Sequence, residues 1–191
     1  EAKKPKAIKA IAKILFKLHN GKKLKGTRSS LKRGYDYIDL AKKHNAWLPK
    51  DLSWYFKKIK LVERHLSPIS KTDPCHEDLM FSNIIKLKNG GYKLIDWEIS
   101  GTDDRHFDLA MFSVKGSFSK KEDIILTNTY SPKNAANLFI KLQYTKVIVY
   151  FAEAAYGILQ NAISKKKGID YKKYALDNLA GFKKQVKKLS L

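Results

Sequence analysis

The sequence predicts an α+β chain that is mainly helical, with one β-hairpin embedded in its middle. Three features carry this expectation. Apolar residues recur every three or four positions toward both ends, the period shortens to two between residues 82 and 96, and Asn89-Gly90-Gly91 interrupts the short-period stretch. With 191 residues, 43% of them apolar, the chain is long enough to enclose a core and too hydrophobic for a disordered basic tail. A single domain over residues 1–191 is expected.

Taken in order, Ile8, Ile11, Ala12, Leu15 and Leu18 share one face of a first helix, which His19-Asn20-Gly21 stops. A second helix follows the polar stretch 27–30, with Leu31, Tyr35, Ile38 and Ala41 on one side. A third runs from about Lys50 to Leu66, between Pro49 and Ser67-Pro68. Two strands come next, Ser82–Lys88 and Tyr92–Asp96. Ser119 and Glu122 are spaced as a capping box that opens a helix toward Tyr130. A long helical region covers roughly 134–164, and Asp170 caps a last helix reaching about Leu189.

Charge narrows the possible partners. Lys and Arg number 39 against 18 acidic residues, a net charge of +21, which makes nucleic acid the first candidate. Only four of those cations are Arg, whereas base edges and phosphates are gripped bidentately by arginine. The lysines are also dispersed, so no specific nucleic-acid partner is expected. They are read as solvated helix faces, although anionic lipid headgroups or a polyphosphate ligand would feel the same field. The longest nearly apolar run, Val147–Leu159, contains Glu153 and is shorter than the roughly 20 residues a bilayer requires, so no membrane span is expected. A single cysteine, Cys75, and a lysine-rich start without a secretion signal point to the cytoplasm.

Chemistry concentrates around the hairpin. His76-Glu77-Asp78-Leu79 and Asn83 precede its first strand, and Ile95-Asp96-Trp97-Glu98 closes its second. A two-residue turn at Asn89-Gly90 pairs Leu87 with Tyr92 and therefore Asn83 with Asp96. Opposed side chains in such a ladder, with Cβ atoms roughly 4.5 to 5.5 Å apart, suit a shared Mg²⁺, an ion that favours oxygen ligands. Glu98 falls on the Asp96 face if the strand continues, and Trp97 points the other way, into the core. An Asp five residues before an Asn, with a distant Asp brought to them by a hairpin, is the arrangement that phosphoryl transfer uses. Acidic loop residues that merely cap turns are the competing explanation, which weakens once both motifs sit at facing positions.

These motifs, His76-Glu77-Asp78-Leu79-x-x-x-Asn83, Ile95-Asp96-Trp97-Glu98 and Phe107-Asp108-Leu109-Ala110, resemble the catalytic lobe of choline kinases. These belong to a wider choline, ethanolamine and aminoglycoside phosphotransferase group with a protein-kinase-like fold. Ala12–His19 looks like the helix after the interlobe hinge, and Glu153-Ala-Ala-Tyr156-Gly-Ile-Leu-Gln160 is similar to the late helix that lines the choline pocket. The resemblance implies a carboxy-terminal kinase lobe with Asp78 as catalytic base, His76 bracing its loop, Asn83 and Asp96 as magnesium ligands, and Asp108 as a buried support. It further implies that Glu98 lies near the acceptor alcohol or a second metal, and that Glu153 and Tyr156 meet the acceptor.

Two positions depart from the family pattern, which often has Trp where Tyr156 stands and, in eukaryotic relatives, another Trp where Glu153 stands. Tyr156 still offers a ring face to a quaternary ammonium, and is equally readable as a core aromatic. Cys75 is expected to be a buried, unactivated thiol. The implied co-substrate is ATP, the cofactor Mg²⁺, the acceptor a small amino alcohol such as choline, and the setting phospholipid-precursor metabolism. None of the ten glycines forms a phosphate-covering loop followed by a strand lysine. The amino-terminal nucleotide lobe is therefore expected to be missing from this chain. Kinases for ethanolamine, thiamine or aminoglycosides are alternatives, as is a non-catalytic basic binding module.

Overall fold

The computed structural model describes residues 3–69 and 72–191. Its elements are helices α1 (Pro5–His19), α2 (Ser30–Lys43) and α3 (Leu52–Leu66), strands β1 (Asp73–Cys75), β2 (Ile84–Lys86), β3 (Tyr92–Leu94) and β4 (Gly101–Asp103), and helices α4 (His106–Lys115), α5 (Lys120–Tyr130), α6 (Ala135–Ile163) and α7 (Tyr171–Lys188). The mainly helical α+β class is confirmed. The chain divides into two compact units, one comprising residues up to Arg28 with Pro68–Gln143, the other Ser29–Ser67 with Tyr144–Leu191.

In the first unit, Pro5 starts α1 where its missing N–H costs nothing, and Ile8, Ile11 and Leu15 are fully buried as the helix packs on α5. Each such side chain contributes roughly 2 kcal/mol of burial. The capping box of α5 forms as expected, with the Glu122 amide donating to the Ser119 hydroxyl and the Ser119 amide donating to the Glu122 carboxylate. The pairing of β1 with β4 was not anticipated, because Asp73-Pro74-Cys75 and Gly101-Thr102-Asp103 carry no alternating pattern. Outside contacts hold this ladder: Thr102 donates its amide to Gly26 and its hydroxyl to Leu24, and accepts from the Arg28 amide. Helix α4 was also missed. Eight of its ten residues are buried, so it has no polar face to produce a period.

The hairpin corrects the predicted register. Ile84 pairs with Leu94, Ile85 with Lys93 and Lys86 with Tyr92, so Asn83 lies opposite Ile95 and not Asp96. The turn is longer than two residues. The Gly90 amide donates to Leu87, Gly90 adopts φ +82°, and the Leu87 amide donates to Gly91, which makes a three-residue loop with a bulge. One added residue shifts every pair by one. Substitution Gly90→Ala forces a side chain into the left-handed region, and a loss of about 1 kcal/mol is expected in urea unfolding. The strands are also shorter than expected. Phe81–Asn83 is a 3-10 turn, β3 ends at Leu94, and Asp96 leaves the ladder with φ +66°. Glu98 therefore does not share a strand face with Asp96. It sits in a turn that the Ser100 amide closes on the Trp97 carbonyl.

In the second unit, Tyr55, Phe151 and Phe182 form an aromatic core with Trp54, Phe56 and Tyr35 around it. Gly34 lets α2 approach α6 closely, since a Cβ there would stand 2.5 Å from the Phe151 ring. Asp170 caps α7 by accepting from the Lys173 amide at 2.8 Å, as the sequence predicts. No helix among the described residues is long and apolar enough to cross a membrane.

Candidate active site

The loop between β1 and the 3-10 turn is shaped by one carboxylate. Asp108, buried in the first turn of α4, accepts the His76 amide at 2.7 Å and the Glu77 amide at 2.8 Å. Glu77 is buried with φ +71°, a conformation worth roughly 1–2 kcal/mol of strain that these bonds help hold. Burial opposes ionisation of Asp108, but the His19 side chain and the two amides outweigh it and keep the carboxyl below the usual carboxylate range.

Behind Asp108 runs a chain of side-chain bonds. His19 Nε2 lies 3.0 Å from Asp108, and its Nδ1 lies 2.7 Å from the Tyr130 hydroxyl, which accepts from Arg105. Asp108 is a carboxylate acceptor, so His19 Nε2 carries a proton and donates to it. Arg105 also grips Asp73 with two bonds of 2.8 and 2.6 Å and caps the His19 carbonyl. His19, Cys75 and Asp108 present atoms within 4.8 Å of one another, a spacing a metal could use. Their hydrogen bonds argue against it, because both His19 nitrogens and both Asp108 oxygens are already engaged. Burial and then the nearby carboxylates push the Cys75 thiol up, which keeps it protonated and inert.

In front of Asp108 lies the predicted cluster. The Asp78 amide donates to His76 Nδ1 at 3.3 Å, so Nε2 carries the proton and donates to the Ile95 carbonyl at 2.8 Å. The Ile95 amide donates to the Asn83 carbonyl at 3.0 Å. Ile95, the residue before Asp96, is thus tied through its carbonyl to His76 and through its amide to Asn83, which brings the motifs together despite the shifted register. Asn83 is buried, and its Nδ2 donates to the carbonyl and carboxylate of Asp78, both at 3.0 Å. That orientation leaves Oδ1 as the amide atom able to coordinate a cation; among the described residues it accepts from the Ser82 hydroxyl at 3.3 Å. Asp78 is half-buried, and Asp96 and Glu98 are exposed. Trp97 is not in the core as expected. It is 40% exposed, its ring lies 4.5 Å from that of His76, and its indole donates to the Leu94 carbonyl.

The second unit holds the other two predicted residues. Tyr156 on α6 faces Tyr37 of α2, with ring centroids 5.7 Å apart, and Tyr171 of α7 at 6.4 Å. Glu153, one turn earlier, accepts from the Tyr174 hydroxyl. Burial first, then that carboxylate, push the Tyr174 phenol well above its ordinary value. Sequence reasoning missed Tyr37, Tyr171 and Tyr174 as parts of this cluster, and also His19 and the Arg105–Asp73 pair. The positions of the tyrosines at helix spacing were the available signal, and they looked like ordinary core residues.

A family model described as choline/ethanolamine kinase matches residues 1–124. The chain belongs to the choline/ethanolamine kinase family. Among curated relatives, the LicA homolog of Metamycoplasma hominis is 32% identical over 124 residues, covering 64% of this chain and 48% of that relative. Haemophilus influenzae LicA is 26% identical over 186 residues, covering 92% of this chain and 68% of that protein. The chain thus spans about half of the M. hominis relative, and 58% of a second LicA homolog from Mycoplasma capricolum. Solved structures of this kind share its fold. The Streptococcus pneumoniae choline kinase LicA superposes with a TM-score of 0.81 at 20% identity, covering 96% of this chain and 64% of that one. A Plasmodium vivax ethanolamine kinase gives 0.76 at 23%, covering 97% and 62%.

Proposed function

We propose that the chain is the acceptor-binding and catalytic part of a kinase that transfers the γ-phosphate of ATP to the hydroxyl of choline or a close amino alcohol. The observation that carries this reading is the Asp78–Asn83 bond beside the Ile95 peptide, within a chain of the choline/ethanolamine kinase family. Asp78 accepts the acceptor's hydroxyl proton while that oxygen bonds to the γ-phosphorus; the bond from phosphorus to the β-γ bridging oxygen breaks, and ADP leaves. Asn83 Oδ1 and the Asp96 carboxylate form an all-oxygen donor set that fits Mg²⁺. When bound, that ion neutralises charge on the nucleotide phosphates. His76 positions Asp78 through its amide and has no part in proton transfer. Glu98 stands near the acceptor alcohol or a second cation in this reading.

The Tyr37, Tyr156 and Tyr171 rings, with Glu153, suit a quaternary ammonium through cation–π attraction and a counter-charge. The 191 residues contain no glycine-rich loop followed by a strand lysine of the kind that clamps ATP phosphates in kinases. Turnover by the full-length gene product with choline, ethanolamine, thiamine and an aminoglycoside in competition tests the assignment. Choline is expected to be preferred, and Tyr156→Ala to raise KM for choline about tenfold with little change in kcat. Activity confined to an aminoglycoside overturns the acceptor assignment.

A further inference from the structure

Lysines occur throughout the chain, but acidic residues do not accompany them evenly. Residues 3–28 contain ten cations and no acidic residue. Lys6, Lys9, Lys13 and Lys17 recur along α1 at intervals of three and four, which sets them within an arc of about 80°. That arc lies opposite the buried Ile8, Ile11 and Leu15. All four lysines are exposed, and no acidic side chain pairs with them among the described residues. Phe16 stands at the edge of the arc, 46% exposed, its ring edge-on to Tyr130 at 5.6 Å. Beside it opens a cavity of about 490 Å³ with Phe16, Tyr130 and Pro132 as apolar walls and Lys13, Lys17 and Lys133 among its lining.

We propose that this face docks on the surface of an anionic phospholipid bilayer. The lysines meet headgroup phosphates and carboxylates, Phe16 seats in the interface, and the cavity receives an apolar segment of a lipid. Charge complementarity selects an anionic partner, and the exposed ring with its apolar cavity selects lipid over nucleic acid. A polynucleotide would use a series of stacking rings or bidentate arginines, and this face has neither. Lysines near an anionic membrane add affinity without demanding a fixed geometry.

Vesicle sedimentation with phosphatidylserine-containing phosphatidylcholine tests this. The combined Lys9→Ser/Lys13→Ser/Lys17→Ser variant is expected to lower partitioning about a hundredfold, and Phe16→Ser about tenfold. A charge-matched control on exposed lysines of the second unit, Lys57→Ser/Lys60→Ser/Lys184→Ser, is expected to change it by no more than about twofold. Equal losses in the two triple variants overturn the proposal in favour of bulk charge. No vesicle binding by the unmodified chain overturns it outright. Tighter binding to single-stranded RNA than to vesicles at equal phosphate concentration, insensitive to Phe16→Ser, overturns it in favour of a nucleic-acid surface.

Discussion

Asp78→Asn in the full-length gene product is expected to lower kcat for choline phosphorylation by a factor of about 10² to 10⁴ while leaving KM and the unfolding midpoint nearly unchanged. The asymmetry follows from what touches the side chain. Asp78 is half-buried, and its carboxylate accepts from Asn83 Nδ2 at 3.0 Å, a bond that an amide oxygen can also accept. The bond from Asn83 survives the change, whereas the proposed proton transfer rests on the carboxylate's charge entirely. Steady-state kinetics beside a urea titration checks both halves. Unchanged kcat would remove Asp78 from the role of base and leave its loop a structural turn.

The opposite pattern is expected at Asp108. Its two oxygens accept from three N–H groups, those of His76, Glu77 and His19, inside a region closed to water. Asp108→Asn supplies one oxygen and one NH₂, so at least one backbone amide faces another donor, and the charge that holds the positive-φ residue Glu77 is gone. A loss of about 3 kcal/mol is expected, read as a lower urea midpoint, with activity falling because the His76–Asp78 segment loosens. The same group governs acid stability. Asp108 and Asp73 both have folded pKa values held below the ordinary carboxylate value: burial raises each, but His19 with two amides, and Arg105, outweigh it. Their stabilisation is therefore complete above the unfolded value of about 4 and disappears as pH falls through the lowered folded values. Asp108→Asn should flatten the acid limb of the stability curve, and an unaltered limb would show that other carboxylates set it.

Most of the helices were legible through an amphipathic stripe or a capping residue. Ile8 to Leu18, the Ser119–Glu122 box and Asp170 all announce themselves within a single turn. The motif residues were legible for a different reason, since phosphoryl transfer needs particular atom types at particular spacings. What escaped was set by longer-range geometry. The Leu87–Gly91 closure depends on Gly90 taking a left-handed φ, and both two-residue and three-residue turns accept Asn-Gly. The β1–β4 ladder is held by chain from residues 24–28, about seventy-five positions away from β4, so no local pattern encodes it. Helix α4 is buried on nearly every side and has no period to read. The expectation that Asn83 faces Asp96 across the ladder failed by one residue, yet the two segments still meet, because hydrogen bonds to Ile95 replace the strand pairing.

Ile95 also separates the hairpin into two parts with different tolerances. Its N–H and C=O are anchored to Asn83 and His76 at the open end, while Lys88–Gly90 projects away as exposed chain with no bond to either anchor. Extra residues inserted at that tip lengthen a loop and leave the anchored end in place. The tip is therefore a natural attachment point for a reporter tag or an affinity handle.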